Sequence, residues 1–314
     1  MHRALIGIVN DTDRFGAEDC LLSGARLHRL SVTGAGSRFS KKTTGAWFRN
    51  KGAGSSFLRN SEFPGRNVSL GEWFRHLIGG CSMGRLDNKT ALITGAKGGL
   101  GSFVTKTFLA AGANVVGVSR SVAVSDFPDP RFVALAAELS SRNAARQVAE
   151  AVVQRFQRID ILVHLVGGFA GGMPVAETDD ATLERMLDQN FRSAFHILRA
   201  VIPAMRTAGS GRIVAIGSRA AVEPQPLIAA YSASKAALLS LVLSVAKENK
   251  DRGITANIIL PGTMDTPANR AGDPKADFSK WVDPQQVANL ALWLASDASE
   301  QVSGAAIPVY GAEL

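Results

Sequence analysis

The sequence has few of the residues that mark disulfide-rich, metal-binding or membrane-spanning proteins. Its 314 residues include two cysteines, Cys20 and Cys81, too few for a disulfide scaffold and in keeping with a reducing compartment. The five histidines form no cluster at metal-ligand spacing, so no metal site is predicted. No uninterrupted apolar run approaches the roughly 18 residues of a membrane span. We therefore expect a cytoplasmic, non-membrane protein, with organelle targeting by residues 1–82 left open.

The positive charge is concentrated at one end of the chain. The formal net charge is +8, but residues 1–82 hold nine Arg and three Lys against six acidic residues. The remaining residues hold 23 basic and 21 acidic side chains and are nearly balanced. A basic patch for nucleic acid is therefore not expected in that larger part.

Residues 1–82 are rich in Gly, Ser and Arg and have no sustained helical or strand periodicity. Three hypotheses remain open for them: an upstream extension outside the functional protein, a targeting segment, or a disordered arm. Met83 stands where an initiator for the patterned region would stand, and acidic residues such as Asp11 and Glu18 are unusual in a transit peptide. Mass spectrometry of the native N-terminus would separate the three.

From residue 83 onward, short β-branched or apolar runs alternate with segments of helical periodicity. This alternation predicts right-handed βαβ crossovers and an α/β fold with one Rossmann-type, doubly wound parallel sheet, helices on both faces, and a single domain over residues 83–314. The predicted strands are residues 91–94, 114–118, 131–135, 161–166, 212–216, 255–260 and 306–309. The predicted helices are residues 99–111, 143–156, 183–205, 229–249 and 284–295.

A glycine-rich turn lies between the first strand and the first helix, where residues 94–101 read T-G-A-K-G-G-L-G. A turn of this kind lets the backbone approach a pyrophosphate, while the following helix offers free N–H groups to the anion. A flexible turn is the alternative, and a Walker A loop is excluded because the lysine precedes the last glycines. The predicted cofactor contacts here are Gly95, Lys97, Gly99, Leu100 and Gly101.

The end of the second strand bears on which dinucleotide binds. NAD-binding sites usually place an acid there to bond the ribose 2′-hydroxyl, whereas this chain has Ser119 followed by Arg120, with Lys97 in the turn. A guanidinium can bind a 2′-phosphate with charge-assisted hydrogen bonds. NADP(H) is therefore the predicted cofactor, with NAD(H) possible if Arg120 is only a surface charge.

Three residues have the chemistry of a proton-transfer site. Tyr231 and Lys235 are spaced i, i+4 at the start of a predicted helix and share one face. A neighbouring ammonium is expected to lower the pKa of a phenol toward the working range. Ser218 ends the strand before that helix and so points into the crevice where such sheets bind ligands.

These motifs, T-G-x-x-x-G-x-G, Ser218 and Y-x-x-x-K, together resemble the short-chain dehydrogenase/reductase family over residues 83–314. The resemblance implies that Ser218 binds the substrate oxygen, Tyr231 transfers the proton, and Lys235 holds the nicotinamide ribose. Asn190 matches the family's asparagine, which anchors a relay water. Further cofactor contacts implied by the resemblance are Glu138, Leu139, Gly167, Pro261, Gly262 and Thr266.

The sequence departs from the family at residues 164–167, where H-L-V-G replaces N-N-A-G. His164 is interpreted as a structural hydrogen-bonding residue, with a catalytic base as the alternative. The stretches 167–172, 265–270 and 274–281 resemble dihydropteridine reductases, a branch of the same superfamily. Phe169 and Trp281, which lie in these stretches, are expected to cover the pocket.

The resemblance implies an NAD(P)H-dependent oxidoreductase that reduces a ketone, with a 3-oxoacyl thioester as one candidate. Quinonoid dihydropteridine reduction is the enzymatic alternative, and a non-catalytic NADP-binding sensor or scaffold is the alternative of another class. Partners implied are a small-molecule substrate and a second copy of the chain, in a homodimer or homotetramer formed through the helices at 183–205 and 229–249.

Overall fold

The structure of the protein is a computed structural model that describes residues 86–312. The hypotheses about residues 1–82 lie outside the described residues. The strands are β1 (Thr90–Thr94), β2 (Asn114–Ser119), β3 (Phe132–Ala136), β4 (Ile161–His164), β5 (Gly211–Ile216), β6 (Ile254–Pro261) and β7 (Ala306–Val309). The α-helices are α1 (Gly99–Ala110), α2 (Arg142–Phe156), α3 (Asp180–Leu187), α4 (Ser193–Ala208), α5 (Ala229–Glu248), α6 (Pro267–Gly272) and α7 (Pro284–Ala295).

The seven strands form one sheet in the order β3-β2-β1-β4-β5-β6-β7, and every neighbouring pair is parallel. β1, β4 and β6 are buried along their whole length, as expected where helices cover both faces of a parallel sheet. The strand order reverses between β1 and β4, which places the ligand crevice at the carboxyl ends of these strands. The predicted α/β fold class is confirmed.

Each face of the sheet has its own hydrophobic core. On one face, α2, α4 and α5 pack on the strands through buried residues such as Val148, Ile197 and Leu238. On the other face, α1 and α7 pack through residues such as Phe108 and Ala291. Since the glycine-rich turn lies where β1 meets α1, it is held between these two cores.

The predicted elements differ from the observed ones at three places near the crevice. The helix predicted at 183–205 starts earlier, because Asp179 caps α3 by accepting from Thr182 N at 2.6 Å, and it is interrupted by a π-helical turn at Asp188–Arg192. The strand predicted at 161–166 ends at His164. Helix α6 was not predicted, although Thr266 caps it and Pro267 opens it.

Helix α5 is long and apolar enough to cross a membrane by length and composition alone. The prediction of no candidate span therefore overlooked it, because the helix is apolar on average without being an unbroken apolar run. The core helices of folded domains meet the same criterion. In this fold α5 packs against β6 and carries the buried Lys235.

Candidate active site

The glycine-rich turn leaves the N-terminus of α1 open to an anion. Gly95 has φ of +75°, and a Cβ on Gly101 would lie 2.0 Å from Gly95 O, so both positions require glycine. Gly98 caps α1 without a side-chain hydrogen bond, and no acidic residue stands in the first turn. The free N–H groups and the positive end of the helix dipole therefore face the crevice without a competing carboxylate.

The segment after β6 packs against this turn. A Cβ on Gly99 would lie 3.1 Å from Thr266 Cγ2, so the threonine methyl packs against the third glycine of the turn. Thr266 is 7% exposed, and its hydroxyl accepts a hydrogen bond from Asn269 N at 3.3 Å. Pro261 ends β6, and Gly262 N donates to Val309 O at 2.9 Å. The structure therefore brings the predicted Thr266 contact to the same place as the glycine-rich turn.

The end of β2 carries one polar atom without a protein partner. Ser119 Oγ is buried and has no hydrogen-bond partner among the described residues, and Arg120 beside it is exposed. Lys97 forms an ion pair with Asp126 at 3.0 Å. Sequence reasoning missed Asp126, which lies in a 3-10 turn after β2. Because the Asp126 carboxylate already forms an ion pair with Lys97, the positive charge available to a ribose 2′-phosphate would come from Arg120.

Glu138 and Leu139, which follow β3, differ in their exposure to solvent. Glu138 is exposed, whereas Leu139 is 4% exposed and belongs to the core under α2. The burial of Leu139 is accounted for by packing. A contact of either residue with adenine stays a prediction.

Ser218 and Tyr231 come together beside the crevice. Ser218 follows β5, and its hydroxyl oxygen accepts from Ala220 N at 3.2 Å while also pairing with the Tyr231 phenol. Burial raises the pKa of Tyr231, and the hydrogen bond with Ser218 lowers it by a smaller amount. The predicted net lowering is therefore wrong for the protein alone, which keeps Tyr231 as a neutral phenol.

Lys235 lies below Tyr231 on the same face of α5. It is 5% exposed, and its ammonium donates to Ile216 O at 3.0 Å, at the end of β5. Burial lowers its pKa to about 8. One donor of the ammonium is thus used by the sheet, and its remaining two donors are available to other groups in the crevice.

Asn190 holds the chain that follows β4. It is fully buried in the π-helical turn, its Oδ1 accepts from Gly168 N at 3.0 Å, and its Nδ2 donates to Gly168 O at 3.0 Å and to Ser234 Oγ at 3.0 Å. A Cβ on Gly168 would lie 1.9 Å from Gln189 Oε1, and one on Gly167 would lie 2.8 Å from Asn190 Oδ1. Because the two glycines lack a Cβ, the Asn190 amide can approach this segment closely. It pairs with the N–H and the C=O of Gly168, as the backbone of a neighbouring strand would. Gly168 was not predicted as a site residue, although the glycine pair was visible.

Comparison with known proteins identifies the family. The sequence profile of the short chain dehydrogenase family matches residues 89–277. The chain belongs to this family. It is 31% identical over 237 residues to the 3-oxoacyl-(acyl-carrier-protein) reductase FabG of Escherichia coli, covering 72% of this chain and 97% of that protein.

Other relatives of the dehydrogenase differ in the substrates they are named for. It is 31% identical over 244 residues to a 2-dehydro-3-deoxy-D-gluconate 5-dehydrogenase of Pseudoalteromonas atlantica, covering 72% and 96% of the two chains. A solved dehydrogenase/reductase from Sinorhizobium meliloti 1021 superimposes with a TM-score of 0.66 at 32% identity, covering 74% of this chain and 98% of that one. The dehydrogenase is thus an NAD(P)-dependent oxidoreductase, and its similarity to these relatives does not fix the substrate.

The residues of the dehydrogenase fit a nicotinamide dinucleotide. The uncapped start of α1 suits a pyrophosphate, and the unpartnered Ser119 hydroxyl suits a ribose oxygen. The spare donors of Lys235 suit ribose hydroxyls. Among residues 86–312, no three His, Cys, Asp or Glu side chains cluster closely enough to hold a metal ion.

His164 stands where the family pattern has its first asparagine. It is 1% exposed, and its Nδ1 lies 2.9 Å from Thr94 Oγ1, which bridges β1 and β4. Burial, together with the nearby charge of Lys235, lowers its pKa to about 3. A ring that stays neutral and bonds across two strands fits the structural interpretation of His164, and a general base at this pKa would be very weak.

Proposed function

We propose that this dehydrogenase reduces a ketone to a secondary alcohol with NADPH. The observation that carries the proposal is the pairing of the Ser218 hydroxyl with a partly buried Tyr231 phenol whose pKa is raised. A neutral phenol can donate a proton, which is what carbonyl reduction requires when hydride arrives at carbon. The bound nicotinamide would supply that hydride.

Each residue of the site has a distinct part in this proposal. Tyr231 donates its proton to the carbonyl oxygen, and Ser218 donates a hydrogen bond to the same oxygen as negative charge develops there. Lys235 would hold the nicotinamide ribose with the donors that its bond to Ile216 O leaves free. Asn190 acts through position: its clamp on Gly168 fixes the backbone beside the ammonium.

The test is turnover of a ketone panel followed by NADPH absorbance, with Tyr231→Phe and Ser218→Ala beside the wild type. Loss of a proton donor or an oxyanion partner is expected to lower kcat by about 100-fold or more, while cofactor binding persists. Turnover of no ketone by the wild type, or full activity in Tyr231→Phe, would refute the proposal. The panel includes a 3-oxoacyl thioester, since the chain resembles a reductase named for that substrate.

The preference for NADPH rests on Arg120. Its guanidinium is exposed at the end of β2, whereas Lys97 is already paired with Asp126. Arg120→Ala is expected to raise the KM for NADPH about tenfold and leave the KM for NADH nearly unchanged, because one charge-assisted contact is lost. Equal efficiency of the wild type with the two cofactors would overturn this assignment.

A homodimer or homotetramer is proposed as the working state. Leu183 of α3 and Phe195 of α4 are 38% and 42% exposed, and large apolar side chains on adjacent helices suit burial against a second copy. Light scattering of the purified chain tests this, and a monomer at micromolar concentration would contradict it.

A further inference from the structure

Two loops meet directly above the catalytic phenol. One follows β4 and the other joins β5 to α5, and they are tied together by Gly172 N, which donates to Leu227 O at 2.8 Å. The ring of Phe169, from the first loop, meets the ring of Tyr231 edge to face with centroids 5.1 Å apart and planes at 73°. The wall beside the proton donor is therefore built by residues of both loops.

Three large apolar side chains of this wall are exposed to solvent. Phe169 is 68% exposed, Met173 is 48% exposed, and Leu227 is 49% exposed. A single exposed apolar residue is ordinary, but apolar surface gathered at a cleft marks a binding site. Met173 and Leu227 line the same cleft of about 120 Å³, which also reaches Ala230, the neighbour of Tyr231.

The backbone of Leu227 gives a second, independent sign. Its φ is +66°, a left-handed conformation in which a leucine is strained and a glycine is not. The side chain is half exposed, so packing in the core does not account for a leucine here. An unfavourable conformation that presents an apolar side chain to a cleft is typical of a binding site.

The charges of the cleft limit what can enter it. The same cleft is lined by two carboxylates, Glu177 and Asp179, and by one guanidinium, Arg185. The Asp179 carboxylate is occupied as the cap of α3, accepting from Thr182 N at 2.6 Å. Beside the apolar wall itself, Ala170 and Ile228 add no charge. The two acids outnumber the one base, so a substrate carboxylate would lose its hydration at the apolar wall and would meet a net negative lining.

We propose that Phe169, Met173 and Leu227 form an apolar subsite, and that the substrate is a neutral ketone bearing an alkyl or aryl group about the size of a phenyl ring. This inference rests on the proposed ketone reduction. The carbonyl lies between Ser218 and Tyr231, and the apolar group lies against the Phe169 ring. A small sugar acid of the kind that one relative is named for would find no favourable partner on this wall.

The experiment compares matched ketones on the full chain. 2-Butanone, 2-octanone and acetophenone vary the apolar group, while levulinate and ethyl levulinate keep the ketone and replace a carboxylate by a neutral ester. The wild type is expected to show kcat/KM at least about tenfold higher for acetophenone or 2-octanone than for 2-butanone, since burial of several carbons strengthens binding. Ethyl levulinate is expected to exceed levulinate by a similar factor.

Two variants test the wall, and a third is the control. Phe169→Ala and Leu227→Ala are expected to lower kcat/KM for acetophenone about tenfold, chiefly through KM, with little change for 2-butanone. Phe103→Ala removes an aromatic ring that is 37% exposed on α1. It should leave kcat/KM unchanged for both acetophenone and 2-butanone. Circular dichroism and melting temperature confirm folding, and Leu227→Ala serves if Phe169→Ala does not fold.

The outcomes separate the inference from the proposed function. Preference for levulinate, or an equal loss on all ketones in Phe169→Ala, would overturn the apolar subsite and leave ketone reduction standing. The second of these results would mean that Phe169 only positions the Tyr231 ring. Turnover of no ketone by the wild type would overturn both.

Discussion

Replacing Lys235 by methionine should abolish activity and yet make the folded protein more stable at neutral pH. A fall in its pKa from 10.5 to about 8 through burial corresponds to roughly 3 kcal/mol against the charged form. Losing the hydrogen bond to Ile216 O offsets about 1.5 kcal/mol of this. The net gain in the free energy of unfolding is then about 1.5 kcal/mol, or roughly 3–6 °C in Tm for a domain of this size.

The pH dependence of that gain tests its cause. Below about pH 8 the Lys235 ammonium is charged in the folded and the unfolded chain, so the full burial cost is present. Between about pH 8 and 10.5 the folded state releases the proton first, and wild-type stability rises relative to the variant. The stabilisation in Lys235→Met should therefore shrink through this window, vanish near its middle, and become a net loss toward its upper end, where only the lost hydrogen bond to Ile216 O remains.

The assay is urea unfolding at pH 7, 8.5 and 10, on protein free of cofactor, because a dinucleotide would stabilise the wild type by mass action. Lys106→Met is the control, since Lys106 is exposed on α1 and its removal should leave stability nearly unchanged. A Lys235→Met variant less stable than wild type at pH 7 would refute the reasoning. A gain that stays constant up to pH 10 would equally refute it.

Three further predictions concern the chain after β4. Gly167→Ala should lower kcat/KM about tenfold or more, because its Cβ would lie 2.8 Å from Oδ1 of the buried Asn190; Gly168→Ala is the control, because its Cβ meets only the free end of the exposed Gln189 side chain, and an equal loss in the two variants would mean that the clash is elsewhere. Asn190→Ala should reduce the free energy of unfolding by about 2–3 kcal/mol in urea, because it removes two partly buried hydrogen bonds with the backbone of Gly168 and a buried one to Ser234; a loss below about 0.5 kcal/mol would count against the clamp. The free energy of unfolding of His164→Asn should fall less steeply than that of the wild type as the pH is lowered. A folded-state pKa of about 3 costs the wild type roughly 3 kcal/mol of stability between pH 6.5 and pH 4, and the variant does not bear this cost. Parallel pH profiles of the two proteins would contradict this.

The fold and the positions of the main candidate site residues could be predicted because their signals are local. Buried strands read as apolar runs, and the turn at Gly95 needs glycine for its φ. Ser218 was predicted from its place at the end of a strand, and Tyr231 and Lys235 from their spacing on one helix face. In each case the residue type and one neighbouring element were enough.

The parts that could not be predicted depend on contacts between distant segments. The ion pair of Lys97 with Asp126 joins the glycine-rich turn to a later loop, and neither segment alone indicates it. The left-handed φ of Leu227 is invisible because leucine has no preference for it. The direction of the Tyr231 pKa depended on burial, which spacing along a helix cannot show.

The site is held largely by backbone atoms, and this divides its chemistry from its specificity. Asn190 clamps both backbone groups of Gly168, Lys235 bonds to Ile216 O, and Gly172 N bonds to Leu227 O. These bonds fix the positions of the proton donor and its partners without using the side chains that face the cleft. In the proposed ketone reduction, residues such as Leu227 can therefore change which ketone is held while the backbone keeps the reacting groups in place. Substitutions in the apolar wall should accordingly act on KM, and substitutions that disturb the backbone bonds should act on kcat.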